Sequence, residues 1–191
     1  MRFLAYVLLI GCSSSGGTPD SGSNQLPGGP FQVADQVSAT ITMGDPGDTT
    51  SDARVRLSST TGLCADLSAS PPIDHKQQRI ITIVLRDVAG STKTAPTAPG
   101  TYTVYPNTGS EPAKSAVLTI ASFNDSCQSN DAESGQGQSG TVTLTSIAGG
   151  VFAGSYDVVL NTGSHIAGGF RPTACPQGAA AFMNDADHAC Q

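Results

Sequence analysis

Apolar and polar residues alternate along most of the chain beyond residue 30. A period of two is typical of β-strands, and no long stretch shows the period of an amphipathic helix. Threonine, valine and isoleucine dominate the alternating segments, as expected for strands with one buried face. The pattern predicts eight strands, over residues 31–43, 53–59, 79–87, 100–106, 115–123, 139–147, 151–161 and 165–172.

The connections between these segments predict how the strands pair. The last three strands are joined by three residues each, 148–150 and 162–164, and such short connections join antiparallel neighbours. We therefore expect an all-β fold, an antiparallel β-sandwich of about eight strands, with a small closed β-barrel as the alternative. Glycines inside strands indicate bends or bulges and favour the sandwich; they are Gly154, Gly168 and Gly169. A short helical turn is expected after Pro176, near the C-terminus.

The first thirty residues have a composition unlike the rest of the chain. Arg2 precedes an apolar run, Phe3 to Ile10, that is much shorter than the about 20 residues needed to cross a bilayer. A positive start followed by a short apolar run and a small residue is typical of a secretory signal peptide. Residues 13–30 are nearly all Ser, Gly, Pro, Asp or Asn, a composition that cannot bury enough apolar surface to fold.

The residues Leu9-Ile10-Gly11-Cys12 resemble the lipobox of bacterial lipoproteins. The resemblance implies that the thiol of Cys12 carries a diacylglycerol, that the signal is cut before Cys12, and that the new amino terminus is acylated. Acyl chains then hold the protein on the membrane. We expect residues 1–11 to be a signal peptide, 12–30 a lipidated cysteine with a flexible tether, and 31–191 a single β domain. Ser13, where aspartate would favour the inner membrane in the best-known sorting rule, indicates the outer membrane.

A second resemblance covers residues 139–175. The succession GTVTLT, GSYD and GGF before a cysteine is similar to the closing segment of uncharacterised exported bacterial lipoproteins, and PGTYTV at 99–104 also looks like theirs. The resemblance implies a β-rich domain with structural cysteines, and it implies no activity.

Four cysteines remain when the predicted lipid attachment is set aside: Cys64, Cys127, Cys175 and Cys190. An even number in an exported chain predicts two disulfides. Sequence allows three pairings, and we favour Cys175 with Cys190, the shortest loop, and hence Cys64 with Cys127. The spacing of the cysteines and histidines matches no zinc motif.

The formal net charge is −6, and the lysines and arginines are scattered. Arg54 and Arg56 alone lie close together, alternating on one predicted strand. Nucleic-acid binding needs a clustered basic stripe, so we expect no nucleic-acid partner. The expected partners are the membrane, through the acyl chains on Cys12, and an envelope protein or glycan.

Catalytic motifs are absent from the sequence. There is no G-x-S-x-G, the histidines at 75, 165 and 188 have no partner one helical turn away, and most acidic residues lie in predicted turns. Asp157, in a strand, is expected to face solvent. We therefore predict a non-catalytic binding or structural module. The alternative is a secreted hydrolase or carbohydrate-processing enzyme whose site is built from the two long loops, 64–78 and 124–138.

Calcium is the one metal for which the sequence offers a candidate site. Asp45, Asp48 and Asp52 lie close together in a predicted turn, and calcium accepts oxygen ligands from irregular loops. No segment matches the EF-hand loop. No other cofactor is expected.

Overall fold

The computed structural model describes residues 25–43, 50–182 and 188–191. Within these ranges lie one α-helix, α1 (Leu63–Ser68), and two 3-10 segments, Asp131–Glu133 and Pro176–Phe182. The strands are β1 (Gln25–Leu26), β2 (Gly29–Pro30), β3 (Asp35–Met43), β4 (Thr50–Ser58), β5 (Ile73–Asp74), β6 (Arg79–Ala89), β7 (Thr92–Thr94), β8 (Gly100–Val104), β9 (Lys114–Ser122), β10 (Gly135–Ala148), β11 (Val151–Leu160), β12 (His165–Phe170), β13 (Thr173–Ala174) and β14 (Ala189–Cys190).

Ten strands of the described chain form one curled sheet. Its order is β12-β11-β10-β8-β9-β6-β4-β3-β13, with β7 paired to β6. Two residues separate β12, which pairs with β11, from β13, which pairs with β3 at the opposite end of the order. The sheet therefore returns toward its own beginning. The predicted all-β class is confirmed, and these strands form a single curled sheet.

All eight predicted strands are present, as β3, β4, β6, β8, β9, β10, β11 and β12, and the last three form the expected antiparallel meander. The predicted helical turn after Pro176 is also present, as a 3-10 segment. The glycine predictions differ in outcome. Gly154 lies beside a register shift in β10, whereas Gly168 and Gly169 pair regularly with β11.

The two faces of the sheet bury different clusters. The inner face carries the larger core, built from alternate residues of β4 to β12 such as Leu57, Ile83 and Tyr102. On the outer face, Val37, Ala39 and Ile41 of β3 form a second cluster beneath α1 and the 3-10 segment Pro176–Phe182. Beyond that segment, the described residues cover the outer face of β4, β6 and β9 only in part.

The domain begins earlier than the sequence predicts. Residues 25–30, assigned to the tether, form the β1–β2 hairpin, in which Leu26 is 3% exposed and belongs to the inner core. The Arg79 guanidinium fixes this hairpin by donating to the carbonyls of Pro27, Gly29 and Pro30. Burial lowers the pKa of Arg79, and the charge of Glu133 opposes this shift. The described fold therefore includes residues 25–30, whose turn-like composition is also that of a linker.

No helix in the described part of the chain is long and apolar enough to cross a membrane. The predicted signal peptide and Cys12 lie outside the described residues.

Candidate ligand-binding groove

A groove of about 730 Å³ opens on the outer face of the sheet. This volume falls within the roughly 300–1,000 Å³ of small-molecule sites. Outward-facing side chains of β4, β6 and β9 form its floor: Arg54, Arg56, Ile80, Thr82, Val84, Thr119 and Ala121. Its walls come from separate segments of the chain: Asp74, Phe123, Cys127, Ser129, Phe182 and His188.

Strand register places one cation and two hydroxyls in a row across the floor. Arg56 of β4 pairs with Thr82 of β6, and Thr82 pairs with Thr119 of β9. Residues directly opposite in antiparallel strands share a face, with Cβ atoms about 4.5–5.5 Å apart. The row therefore offers a guanidinium and two hydroxyl groups to one ligand. It is called the Arg-Thr-Thr row below.

The groove arginines are held by neighbouring groups. The Arg54 Nε lies 3.0 Å from Asp52 Oδ1, and its Nη1 donates to the carbonyl of Phe182. The Arg56 guanidinium stacks over the Phe182 ring, 4.7 Å from the ring centre. Such contacts orient a planar guanidinium before any ligand arrives. The groove thus presents two guanidinium groups in fixed positions, and one of them, Arg54, is paired with Asp52.

Asp52 anchors a chain of alternating charges that continues past the groove. The carboxylate is fully buried and also binds Arg86, at 3.2 Å, and Arg86 and Lys93 both pair with Glu111. Burial has the largest single influence on the pKa of Glu111 and raises it, but Lys93, Ser115 and Arg86 together lower it below its usual value.

A second small network joins strands at one end of the sheet. Lys114 Nζ lies 3.1 Å from Asp87 Oδ1 and 4.8 Å from the centre of the Tyr102 ring. The hydrogen bond to Asp87 raises the pKa of Lys114, and burial raises the pKa of Tyr102. These residues do not line the groove, so this network belongs to the framework of the sheet.

The calcium hypothesis changes with the position of Asp52. Asp52 was predicted to lie in a turn, but it lies inside β4, and its carboxylate is bound to two arginines. Asp45 and Asp48 lie outside the described residues. Since two cations already occupy the Asp52 carboxylate, it is not placed as a calcium ligand. In the described ranges no group of three or more His, Cys, Asp or Glu side chains could hold a metal ion.

Replacing Asp52 with asparagine is expected to lower the free energy of unfolding by about 2–3 kcal/mol. A fully buried pair that loses one partner costs about 3–5 kcal/mol, and the 15% and 20% exposure of the two arginine side chains reduces that loss. Urea unfolding of both proteins measures the difference. Asp157→Asn is the matched control, because its pair with His165 is 69% and 55% exposed and should contribute under about 1 kcal/mol. Equal losses in the two variants would contradict the anchoring role of Asp52.

The disulfides join different cysteines from those predicted. Two disulfides form, as expected, but they are Cys64–Cys175 and Cys127–Cys190. The favoured pairing of Cys175 with Cys190 is wrong because the segment after Cys175 packs on β3, while the end of the chain pairs with β5. The first bond fastens α1 to that segment, and the second fastens the loop after β9 to β14. Both bonds thereby hold walls of the groove.

Each histidine in the described residues contacts an aspartate. His75 Nε2 lies 2.9 Å from Asp66 Oδ2, and His165 Nε2 lies 2.7 Å from Asp157 Oδ1. Asp157 faces solvent, as predicted. Neither pair lines the groove.

The third pair, His188 with Asp74, does line the groove. The His188 Nδ1 lies 3.0 Å from Asp74 Oδ2. Its Nε2 is buried and has no hydrogen-bond partner among the described residues. The aspartate thus orients the imidazole, and the second ring nitrogen is closed off from solvent.

The sequence indicated some of these residues and missed others. Arg54 and Arg56 alternate on one strand, as their spacing predicts, and the two long loops contribute Asp74, Cys127 and Ser129 to the walls. The Arg-Thr-Thr row was not predicted, because it depends on the register of three strands. Its one sequence signal is that polar residues occupy the outward positions of otherwise apolar strands.

Comparison of the chain with protein-family models, curated proteins and solved structures gives no match. The class of the protein therefore follows from its own features: an all-β domain with two disulfides and a groove on its outer face that polar and apolar side chains line together. Disulfides form and persist in oxidising compartments, so they indicate an exported protein.

Proposed function

We propose that this chain is a lipid-anchored protein of the bacterial cell envelope whose β domain is a non-catalytic binding module with its ligand site in the groove. The observation that carries the proposal is the Arg-Thr-Thr row, in which Arg56 stacks on Phe182. Next to the row, Asp52 holds Arg54 in place. Preformed polar groups in a concave site are typical of small-molecule recognition.

The lipid anchor rests on the lipobox-like residues 9–12 and the composition that follows them. Because Gln25–Leu26 already belongs to the described fold, the proposed tether has at most residues 13–24. A flexible chain of that length has a root-mean-square extension of about 17–21 Å. The domain is thereby held near the outer membrane, within reach of soluble and surface-bound ligands.

Cys12→Ser is expected to move the protein from the membrane fraction to the soluble fraction. Serine has no thiol to accept the diacylglycerol, and without acyl chains nothing else in the proposal holds the protein on lipid. Fractionation of cells expressing each form, followed by immunoblotting, measures the distribution. Ser13→Ala is the matched control and should remain with the membrane. Retention of the Cys12→Ser protein on membranes would contradict the anchor.

Binding in the groove can be tested by blocking it. Saturation-transfer NMR with a defined library of monosaccharides, oligosaccharides, organic acids and short peptides should find a ligand for the unmodified domain. Thr82→Trp fills the middle of the floor and should abolish that binding, whereas Thr141→Trp, on an exposed position of β10, should leave it unchanged. The proposed site would be contradicted if no compound of the library bound the unmodified domain, or if a compound that binds it bound the Thr82→Trp variant equally well.

One observation favours the alternative of a hydrolase. Asp74, His188 and Ser129 all line the groove, and they come from the two long loops and the chain end. The burial of His188 Nε2 weighs against it, because a general base must reach the proton that it removes. If the domain hydrolysed nitrophenyl esters or glycosides and His188→Ala abolished this activity, the hydrolase alternative would be established. We expect no hydrolysis.

A further inference from the structure

We propose that the Cys127–Cys190 disulfide is a redox-sensitive latch, whose reduction releases residues 188–191 from one wall of the groove. These four residues, which include β14, are called the β14 strap below. The reductant is a dithiol, such as the reduced form of a thiol–disulfide oxidoreductase. The proposal concerns the wall of the groove, so its test needs no ligand and does not depend on the proposed function.

Few hydrogen bonds among the described residues hold the β14 strap. The amide of Ala189 donates to the carbonyl of Pro72, and the amide of Gln191 donates to the carbonyl of Asp74. The His188 Nδ1 lies 3.0 Å from Asp74 Oδ2. None of the four strap residues is fully buried. Segments with so little buried surface open locally far more easily than the core of a sheet, so the disulfide is the main constraint on the strap.

The closed strap includes one unfavourable feature. The His188 Nε2 is buried and has no hydrogen-bond partner among the described residues. A buried ring nitrogen without a partner lacks the hydration that it would have in water, and opening of the strap restores that hydration. Opening also removes His188 from the lining of the groove and leaves the Asp74 carboxylate there without it. Release of the strap therefore changes both the shape and the charge of this wall.

The two disulfides differ in their access to a reductant. Cys190 is exposed and Cys127 is half-buried, whereas Cys175 is 0% exposed. A thiolate that attacked half-buried Cys64 would expel the Cys175 thiolate into the apolar cluster beneath α1, where burial disfavours the charged form. Attack on exposed Cys190 expels the Cys127 thiolate at the wall of the groove instead. The latch should therefore be reduced before the other disulfide.

The reduction is a thiol–disulfide exchange in two steps. One thiolate of the dithiol attacks Cys190 Sγ and forms a mixed disulfide, while the Cys127–Cys190 bond breaks and Cys127 leaves as a thiolate that takes up a proton. The second thiol of the reductant then attacks the mixed disulfide, so that the reductant becomes a disulfide and Cys190 is released as a thiol. Two electrons pass from the dithiol to the protein.

Differential alkylation tests the selectivity of the latch. The full chain with Cys12→Ser keeps only the four disulfide cysteines. This protein is treated with dithiothreitol for increasing times, and the free thiols are trapped with N-ethylmaleimide and located by peptide mass spectrometry. We expect the two cysteines of the latch to be labelled at least about tenfold faster than Cys64 and Cys175. Equal rates, or earlier labelling of Cys64 and Cys175, would overturn the proposal.

Hydrogen exchange of the selectively reduced protein tests the opening. The amides of Ala189 and Gln191 should exchange at least about tenfold faster than in the oxidised protein, while the amides of β6 remain protected between β4 and β9. Replacing both Cys127 and Cys190 with serine should give the same pattern without a reductant. Unchanged protection of the strap after reduction would overturn the latch. An equal loss of protection in β6 would also overturn it, because the bond would then support the whole sheet.

Discussion

Gly154→Ala is expected to lower the free energy of unfolding by about 3 kcal/mol or more. A Cβ atom at this position would overlap the carbonyl oxygen of Thr143 and would lie 3.1 Å from the Leu144 Cα. Both are backbone atoms of the paired strand, so no side-chain rotation relieves the overlap. Overpacking typically costs about 1–3 kcal/mol, and a clash with backbone belongs at or above the upper end of that range.

The position of Gly154 explains why the backbones approach so closely there. Gly154 pairs with Leu144 and Ala153 pairs with Ser146, so Thr145 is the extra residue of a β-bulge. Urea unfolding measures the loss. Gly169→Ala is the matched control, because its Cβ would meet nothing closer than the Gly154 carbonyl oxygen at 3.7 Å. A loss in Gly154→Ala no larger than in Gly169→Ala would mean that the bulge is not formed as described.

Removing the Cys64–Cys175 disulfide, by replacing both cysteines with alanine, is expected to cost about 3–5 kcal/mol. The bond closes a loop with a sequence separation of 111 residues, and the constraint on the unfolded chain grows with loop length. Cys175 is also fully buried in the outer cluster, so its loss removes packing beneath α1. Thermal and urea unfolding under non-reducing conditions measure the effect.

The matched control replaces Cys127 and Cys190. That bond has a separation of 63 residues, and Cys190 is exposed next to the last residue, so we expect a smaller cost of about 2–4 kcal/mol. Peptide mapping without reduction should recover linked peptides for both observed bonds. A larger loss in the control, or peptides that link Cys175 to Cys190, would contradict the described connectivity.

The regular strands could be predicted because one face of each is buried. Alternation in segments such as 79–87 and 151–161 records which side chains enter the inner core, and the structure places strands at Arg79–Ala89 and Val151–Leu160. The meander followed from connections too short to join anything but neighbours. These are local properties, so a single sequence contains them.

Elements that depend on distant partners could not be predicted. The β1–β2 hairpin has the composition of a linker and is ordered by Arg79, about fifty residues away in the chain. Helix α1 has six residues, too few for a periodic signal, and Leu63 and Leu67 pack on β3. Disulfide connectivity likewise depends on where the chain after Cys175 lies, which loop length does not determine.

The groove likewise combines features that local sequence predicts with features that depend on distant partners. That Arg54 and Arg56 share one side of a strand follows from their spacing alone. That Arg56 stands beside Thr82, and Thr82 beside Thr119, follows only from the pairing of β4 with β6 and of β6 with β9. Asp52 was interpreted as a turn residue because the start of β4 cannot be located from the alternation, which becomes regular only at residue 53.

The central claim is that the outer groove is the ligand site, and amide chemical-shift mapping during titration with each compound found by the saturation-transfer screen tests it most directly. The account predicts saturable shifts at Arg54 to Arg56, Ile80 to Val84 and Thr119 to Ala121, with little change along the meander of β11 and β12. Shifts confined to the meander, or no saturable shifts at all, would contradict it.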